Sequence, residues 1–184
     1  MSHLLSVKGA ALVRGGRLLF EGLDLTLAPG EAVHVTGPNG CGKSSLIRLI
    51  AGLLSPSAGR IERAEAALVD EGLALDRELP LRRALAWWAG PRLDDAIGQY
   101  DLAHLGEVPV RLLSTGQAKR ARLARVMASG APLWLLDEPL NGLDRDGSEQ
   151  LAVALDRHRA AGGAVLAASH VTIAGKWRTL ELGR

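Results

Sequence analysis

The chain has 184 residues and a single cysteine, Cys41. That excludes an internal disulfide and a cysteine metal cluster. Aromatic residues make up 3% of it, and four of them are Trp. No apolar run reaches the roughly 18–20 residues of a membrane-spanning helix. The opening MSHLLSVKGA has neither the apolar core nor the small-residue cleavage site of a secretory signal. The chain is therefore expected in the cytoplasm, meeting a membrane only through a partner. Neither sign of charge dominates: 22 Lys and Arg face 20 Asp and Glu, mixed along the chain, which argues against a nucleic-acid surface. Glutamine is scarce, at positions 99, 117 and 150 only.

What is present is patterned. Short apolar–polar bursts from Leu4 to Leu27, with Gly15-Gly16 between two of them, predict an antiparallel hairpin. A turn at Pro29-Gly30 precedes a buried strand through Val33 and Val35. KSSLIRLIAGLL follows, with Leu46, Ile47, Leu49, Ile50 and Leu53 as one apolar stripe of a helix. Residues 60–110 are less legible, although LRRALAWWAG and LDDAIGQYDLAHLG read as short helices. The adjacent Trp87 and Trp88 suggest a partly exposed apolar spot, with core packing the favoured use of each. APLWLLDEP and AVLAASH read as buried strands, SEQLAVALDRHRAAGG as an amphipathic helix between them, and WRTLELGR as a last strand. This alternation predicts an α/β fold with a parallel sheet covered by helices.

Several stretches carry chemistry. GPNGCGKSS, residues 37–45, has the G-x-x-x-x-G-K-[ST] spacing between a strand and a helix. Gly37, Pro38, Asn39, Gly40, Cys41, Gly42, Lys43, Ser44 and Ser45 are the candidate phosphate-binding residues. Backbone amides wrap the phosphates, Lys43 neutralises them, and Ser44 ligates Mg²⁺. Asp137 ends an apolar strand, where a carboxylate can hold Mg²⁺, and Glu138 beside it can activate water. His170 ends the next strand, at the edge where such sheets bind ligands. In LLSTGQAKRAR, Ser114 and Gln117 have capping-box spacing at a second helix start, a place that also suits an anion. Lys119, Arg120, Arg122 and Arg125 behind them are expected to form a solvated face.

LSTGQ, LLDEP, NGLD and ASH, in that order after the phosphate loop, resemble the ATP-binding-cassette ATPases over nearly the whole chain. The longer stretches RGGRLLFEGLDLTLAPGE, VPVRLLSTGQAKRARLARV, APLWLLDEPLNGLDRDG and GGAVLAASH are similar to the ATP-binding subunits of the haem-export system of cytochrome c biogenesis. The resemblance implies a RecA-like P-loop core with an antiparallel β-subdomain and a small helical subdomain. The whole chain, 1–184, would be one domain, with its core at about 1–70 and 126–184 and the helical part at about 73–125. ATP and Mg²⁺ are the implied substrate and cofactor. Lys43, Glu138 and His170 are the implied catalytic residues, with Ser44 and Asp137 on the metal. Ser114, Thr115, Gly116 and Gln117, the signature, would serve the ATP of a second copy, and Asp144 in the D-loop would cross the interface. The implied partners are a second copy and integral membrane permease subunits. The implied place is the cytoplasmic side of the bacterial inner membrane, with no nucleic acid and no direct haem ligation. A transporter of another substrate, a non-transport cassette and a non-hydrolysing module are the rival readings.

The sequence departs from that family in places. Arg14 stands where an adenine-stacking aromatic is usual; it stacks its guanidinium or is a plain surface residue, and loose base selectivity is expected. No glutamine follows the strand AALVDEG; Asp70 and Glu71 stand there, as candidate Mg²⁺ ligands or as caps of an exposed turn. Thr115 replaces the commoner Gly. Cys41 is either a reactive thiol near Lys43 or a small residue that the loop accepts.

Overall fold

The computed structural model describes residues 3–70, 75–89 and 92–183. Two sheets organise it. β1 (Leu5–Arg14), β2 (Arg17–Leu27) and β4 (Ala58–Arg63) form an antiparallel sheet in the order β2-β1-β4. The hairpin closes at Gly15-Gly16, as the sequence predicts, with Arg14 opposite Arg17. β3 (Ala32–Thr36), β5 (Ala66–Val69), β6 (Leu133–Asp137), β7 (Ala164–Ala168) and β8 (Arg178–Glu181) form a parallel sheet in the order β5-β6-β7-β3-β8.

The inner parallel strands β3, β6 and β7 bury both faces, so their side chains divide between two cores. Val33, Val35, Leu133, Leu135 and Leu166 pack with Leu46, Ile47 and Ile50 of α1 (Lys43–Ile50) and with Leu5 and Val7 of β1. Trp134, Leu136, Val165 and Ala167 face the other way. They pack with Ala121 and Ala124 of α4 (Thr115–Ser129) and with Leu151 and Leu155 of α5 (Arg145–Ala160). Each fully buried aliphatic side chain contributes about 1.5–3 kcal/mol. The short helices α2 (Leu81–Ala86) and α3 (Leu93–Gln99) join this second core through Leu81, Leu85 and Ile97.

Two expectations fail here. The apolar stripe of α1 stops at Ile50, and Leu53 is exposed. Gly52, at φ 82, turns the chain left-handed, and the amides of Gly52 and Leu53 bond back to the carbonyls of Leu49 and Arg48. That is a Schellman stop, and it points Leu53 away from the core. Trp87 and Trp88 do not pack in the core: they are 84% and 47% exposed. α2 ends at Ala86, so the inward positions of that helix are filled by Leu81, Ala84 and Leu85 before either Trp is reached.

Candidate functional site

The C-terminal edge of the parallel sheet gathers the reactive side chains, because β3, β5, β6 and β7 each end in one of the singled-out segments. After β3 comes the phosphate loop, residues 37–42. Gly37 has φ 141, and a Cβ there would lie 2.3 Å from the Leu182 carbonyl oxygen, so no side chain fits. Cys41 is buried beside Leu182 in the core, which favours its role as a small packing residue over that of an exposed thiol. Lys43 is also buried. Its Nζ donates to the carbonyls of Gly37 and Pro38, at 2.8 and 3.1 Å, folding the ammonium back under the loop.

Ser44 Oγ donates to Asp137 Oδ1 at 2.9 Å, joining the start of α1 to the end of β6. Burial pushes the Asp137 carboxyl up from its ordinary value; the Ser44 hydroxyl and the Arg48 charge hold it down, and Glu138 and Asp70 add to the rise. Glu138 sits at φ 46, a left-handed conformation that is uncommon outside glycine. The turn aims its carboxylate at His170, whose Nε2 lies 3.4 Å from Oε1 and whose backbone N–H donates to Oε2 at 3.4 Å. Glu138, His170, Lys43, Ser44, Ser45, Asn39, Gly40, Gly42 and Arg14 all line one open cavity of about 690 Å³. Arg14 reaches it from β1, with Nη1 donating to Ser45 Oγ at 3.4 Å. Asn141, the first residue of the NGLD stretch, lines it too.

The signature segment lies outside this cavity, beside a second one that shares Asn141 with it. Ser114 caps α4: its Oγ accepts from the Gln117 amide at 3.3 Å, and Gln117 Oε1 accepts from the Ser114 amide at 2.9 Å. None of Ser114, Thr115, Gly116 and Gln117 lines the phosphate-loop cavity. Thr115 lines a second cavity of about 600 Å³ with Lys119, Arg122, Arg77 and Arg111. Asp144 caps α5, accepting from the Gly147 amide at 2.8 Å.

The solvated basic face is corrected. Lys119 and Arg125 are 4% and 6% exposed. Lys119 Nζ donates to the Glu138 carbonyl at 2.8 Å, and Arg125 donates to the Leu68 carbonyl and lies 4.8 Å over the Trp88 ring. Long stems carry their charges across the helix to strand-end carbonyls that helical periodicity does not reveal. Asp70 is likewise no exposed cap: it is buried and accepts from Arg48 Nε at 3.2 Å. Glu71 lies outside the described residues.

A phosphate loop after β3, with an acidic pair at the end of β6 two strands away on the same sheet edge, defines a P-loop nucleoside triphosphatase. Comparison with known proteins narrows this. The ABC transporter family profile matches residues 20–141. The chain is 55% identical over 181 residues to the cytochrome c biogenesis ATP-binding export protein CcmA of Sphingopyxis alaskensis, covering 95% of this chain and 93% of that one. It is 58% identical over 174 residues to the protein of the same name in Novosphingobium aromaticivorans, covering 92% and 90%. Among solved structures, the ATP-binding subunit of an ABC transporter is similar at a TM-score of 0.85 and 26% identity, over 91% of this chain and 80% of that one. The chain belongs to the ABC transporter family of ATP-hydrolysing subunits, in its cytochrome c biogenesis branch. Among the described residues, no helix is long and apolar enough to cross a membrane.

Proposed function

We propose that two copies of this chain bind ATP between the phosphate loop of one and the signature of the other. Hydrolysis then drives a membrane partner that handles haem during c-type cytochrome maturation. The observation that carries the chemistry is the joining of Ser44 to Asp137 at 2.9 Å beside a cavity that also holds Lys43, Glu138 and His170. The relatives' names support the cellular role.

The residues have separate tasks in this reading. The loop amides and Lys43 hold the phosphates, with Lys43 exchanging the carbonyls of Gly37 and Pro38 for phosphate oxygens. Among the described residues, no cluster of three or more His, Cys, Asp or Glu could hold a metal alone. Ser44 and Asp137 instead suit Mg²⁺, which takes few protein ligands and completes its shell with phosphate oxygens and water. When bound with ATP, Mg²⁺ neutralises charge that develops on the phosphates. Glu138 takes a proton from the attacking water, and His170 holds Glu138 in place and contacts the γ-phosphate. Arg14 flanks the base without an aromatic face, so ATP and GTP bind within tenfold of each other.

Ser114, Thr115, Gly116 and Gln117 reach the ATP of the other copy, and Asp144 lies at that interface. The segment of about residues 73–125 forms the helical unit that presents them, on a core of about 1–70 and 126–184, and residues 1–184 act as one cassette. Integral permease subunits hold the pair at the cytoplasmic face of the bacterial inner membrane. Purification from membranes tests this, with a haem-handling integral protein expected alongside. Glu138→Gln tests the chemistry: hydrolysis should fall by about 10²–10⁴-fold, with ATP binding retained. Hydrolysis at the wild-type rate would remove Glu138 as the base.

A further inference from the structure

The proposed reading sends two helix starts of one chain to phosphate, that of α1 at Lys43 and that of α4 at Ser114. Polar groups meeting at the end of β5 connect these helices: Arg125 and Asp70 are buried and Arg48 is partly exposed. In the C-terminal third of α4, Arg125 donates to the Leu68 carbonyl in β5, with its guanidinium braced at 4.8 Å over the Trp88 ring. Two residues on, just past the end of β5, the buried Asp70 accepts from Arg48 Nε at 3.2 Å. Arg48 belongs to α1, whose first turn carries Lys43 and Ser44. Burial acts against the Arg125 charge, and the Asp70 carboxylate acts in its favour. Two arginines from two helices thus close on one strand end. None of Arg48, Asp70 and Arg125 lines the phosphate-loop cavity, and the connector after β5 carries no glutamine.

We infer that Arg125, Asp70 and Arg48 form a strut that fixes the signature helix against the phosphate-loop helix, coupling the two ATP sites of a pair. They are positioning residues, and the inference rests on the paired-copy reading. Packed elements shift between discrete arrangements, not by continuous bending. Closing the phosphate loop of one copy on ATP therefore moves the signature of that same copy, which belongs to the other ATP. Sequence gives no sign of this, because positions 48, 70 and 125 are far apart in the chain.

The test is the dependence of hydrolysis on ATP concentration, measured with the full chain. The wild type should be cooperative, with a Hill coefficient of roughly 1.3–2, below the ceiling of two sites. In Arg48→Met and Arg125→Met it should fall to about 1, the non-cooperative limit. Arg48→Lys, which keeps the charge, should recover part of it. Trp88→Leu removes only the surface brace and leaves the buried bonds, so it should fold normally and still lower the coefficient. A structural loss alone would reduce rate and Tm without changing the shape of the curve. A wild-type coefficient of 1, or an unchanged coefficient in all folded variants, overturns the strut. Failure of the Glu138→Gln chain to pair in ATP overturns the paired-copy reading itself.

Discussion

Asp137 and Glu138 are adjacent acids that the backbone sets to different work. Asp137 is the last residue of a buried strand, while Glu138 turns left-handed and faces His170. Burial makes the Asp137 charge a cost to folding. Its folded pKa is raised, so the stabilising form is the protonated one, and its contribution is lost as pH rises through the folded value. Asp137→Asn should therefore raise Tm at neutral pH while reducing Mg²⁺-dependent hydrolysis by about 10²-fold or more; a melting curve and a rate measure both. Tyr100 offers a second case. Its ring is fully buried and its hydroxyl has no hydrogen-bond partner among the described residues. Tyr100→Phe should stabilise the fold by about 0.5–2 kcal/mol in denaturant unfolding. Lys43, Ser44, Asp137 and Glu138 were legible in the sequence because fixed spacing and a flanking apolar strand accompany them. The burial of Lys119 and Arg125 was not, because their partners are main-chain carbonyls, which no residue type announces.

The elements were legible where one face is apolar and illegible where neither is. β3, β6 and β7 stand out as apolar runs, but β4 reads AGRIER, with only Ile61 even partly buried, so no apolar pattern marks it. It exists because its main chain pairs with β1, Leu5 opposite Arg63 and Val7 opposite Ile61. The end of α5 shows how closely elements fit. His158 stacks on Trp134 with ring centroids 4.0 Å apart. A Cβ on Gly163 would lie 2.2 Å from that imidazole. Gly163→Ala should cost about 1–3 kcal/mol through forced displacement of the ring, measured by thermal or urea unfolding. Burial also lowers the His158 pKa below its ordinary value of 6.5. The neutral ring thus contributes stability above the unfolded pKa, and that contribution is lost as pH falls through the folded one. Tm should drop as pH is taken from about 7 to 5.5, and His158→Phe, which keeps the stacking, should flatten that part of the curve.

At the scale of the whole molecule, one chain holds the phosphate loop, Glu138 and His170 around one open cavity, while its capped signature helix starts outside that cavity. Ser114 and Gln117 satisfy each other within the lone subunit, so the cap is ready before any partner arrives. The sequence showed both halves by their motifs, and its family resemblance implied that they belong to different sites. The geometry supplies the separation within one chain. It also brings Arg125 and Arg48 to one strand end, on the Leu68 carbonyl and the Asp70 carboxylate, which motifs cannot carry. The most direct measurement is the solution mass of the Glu138→Gln chain with ATP and Mg²⁺. The account predicts twice the 19.4 kDa of one copy, reverting to one copy when Ser114 and Gly116 are replaced by bulky residues. A mass of one copy at saturating ATP, with the nucleotide bound, would contradict it.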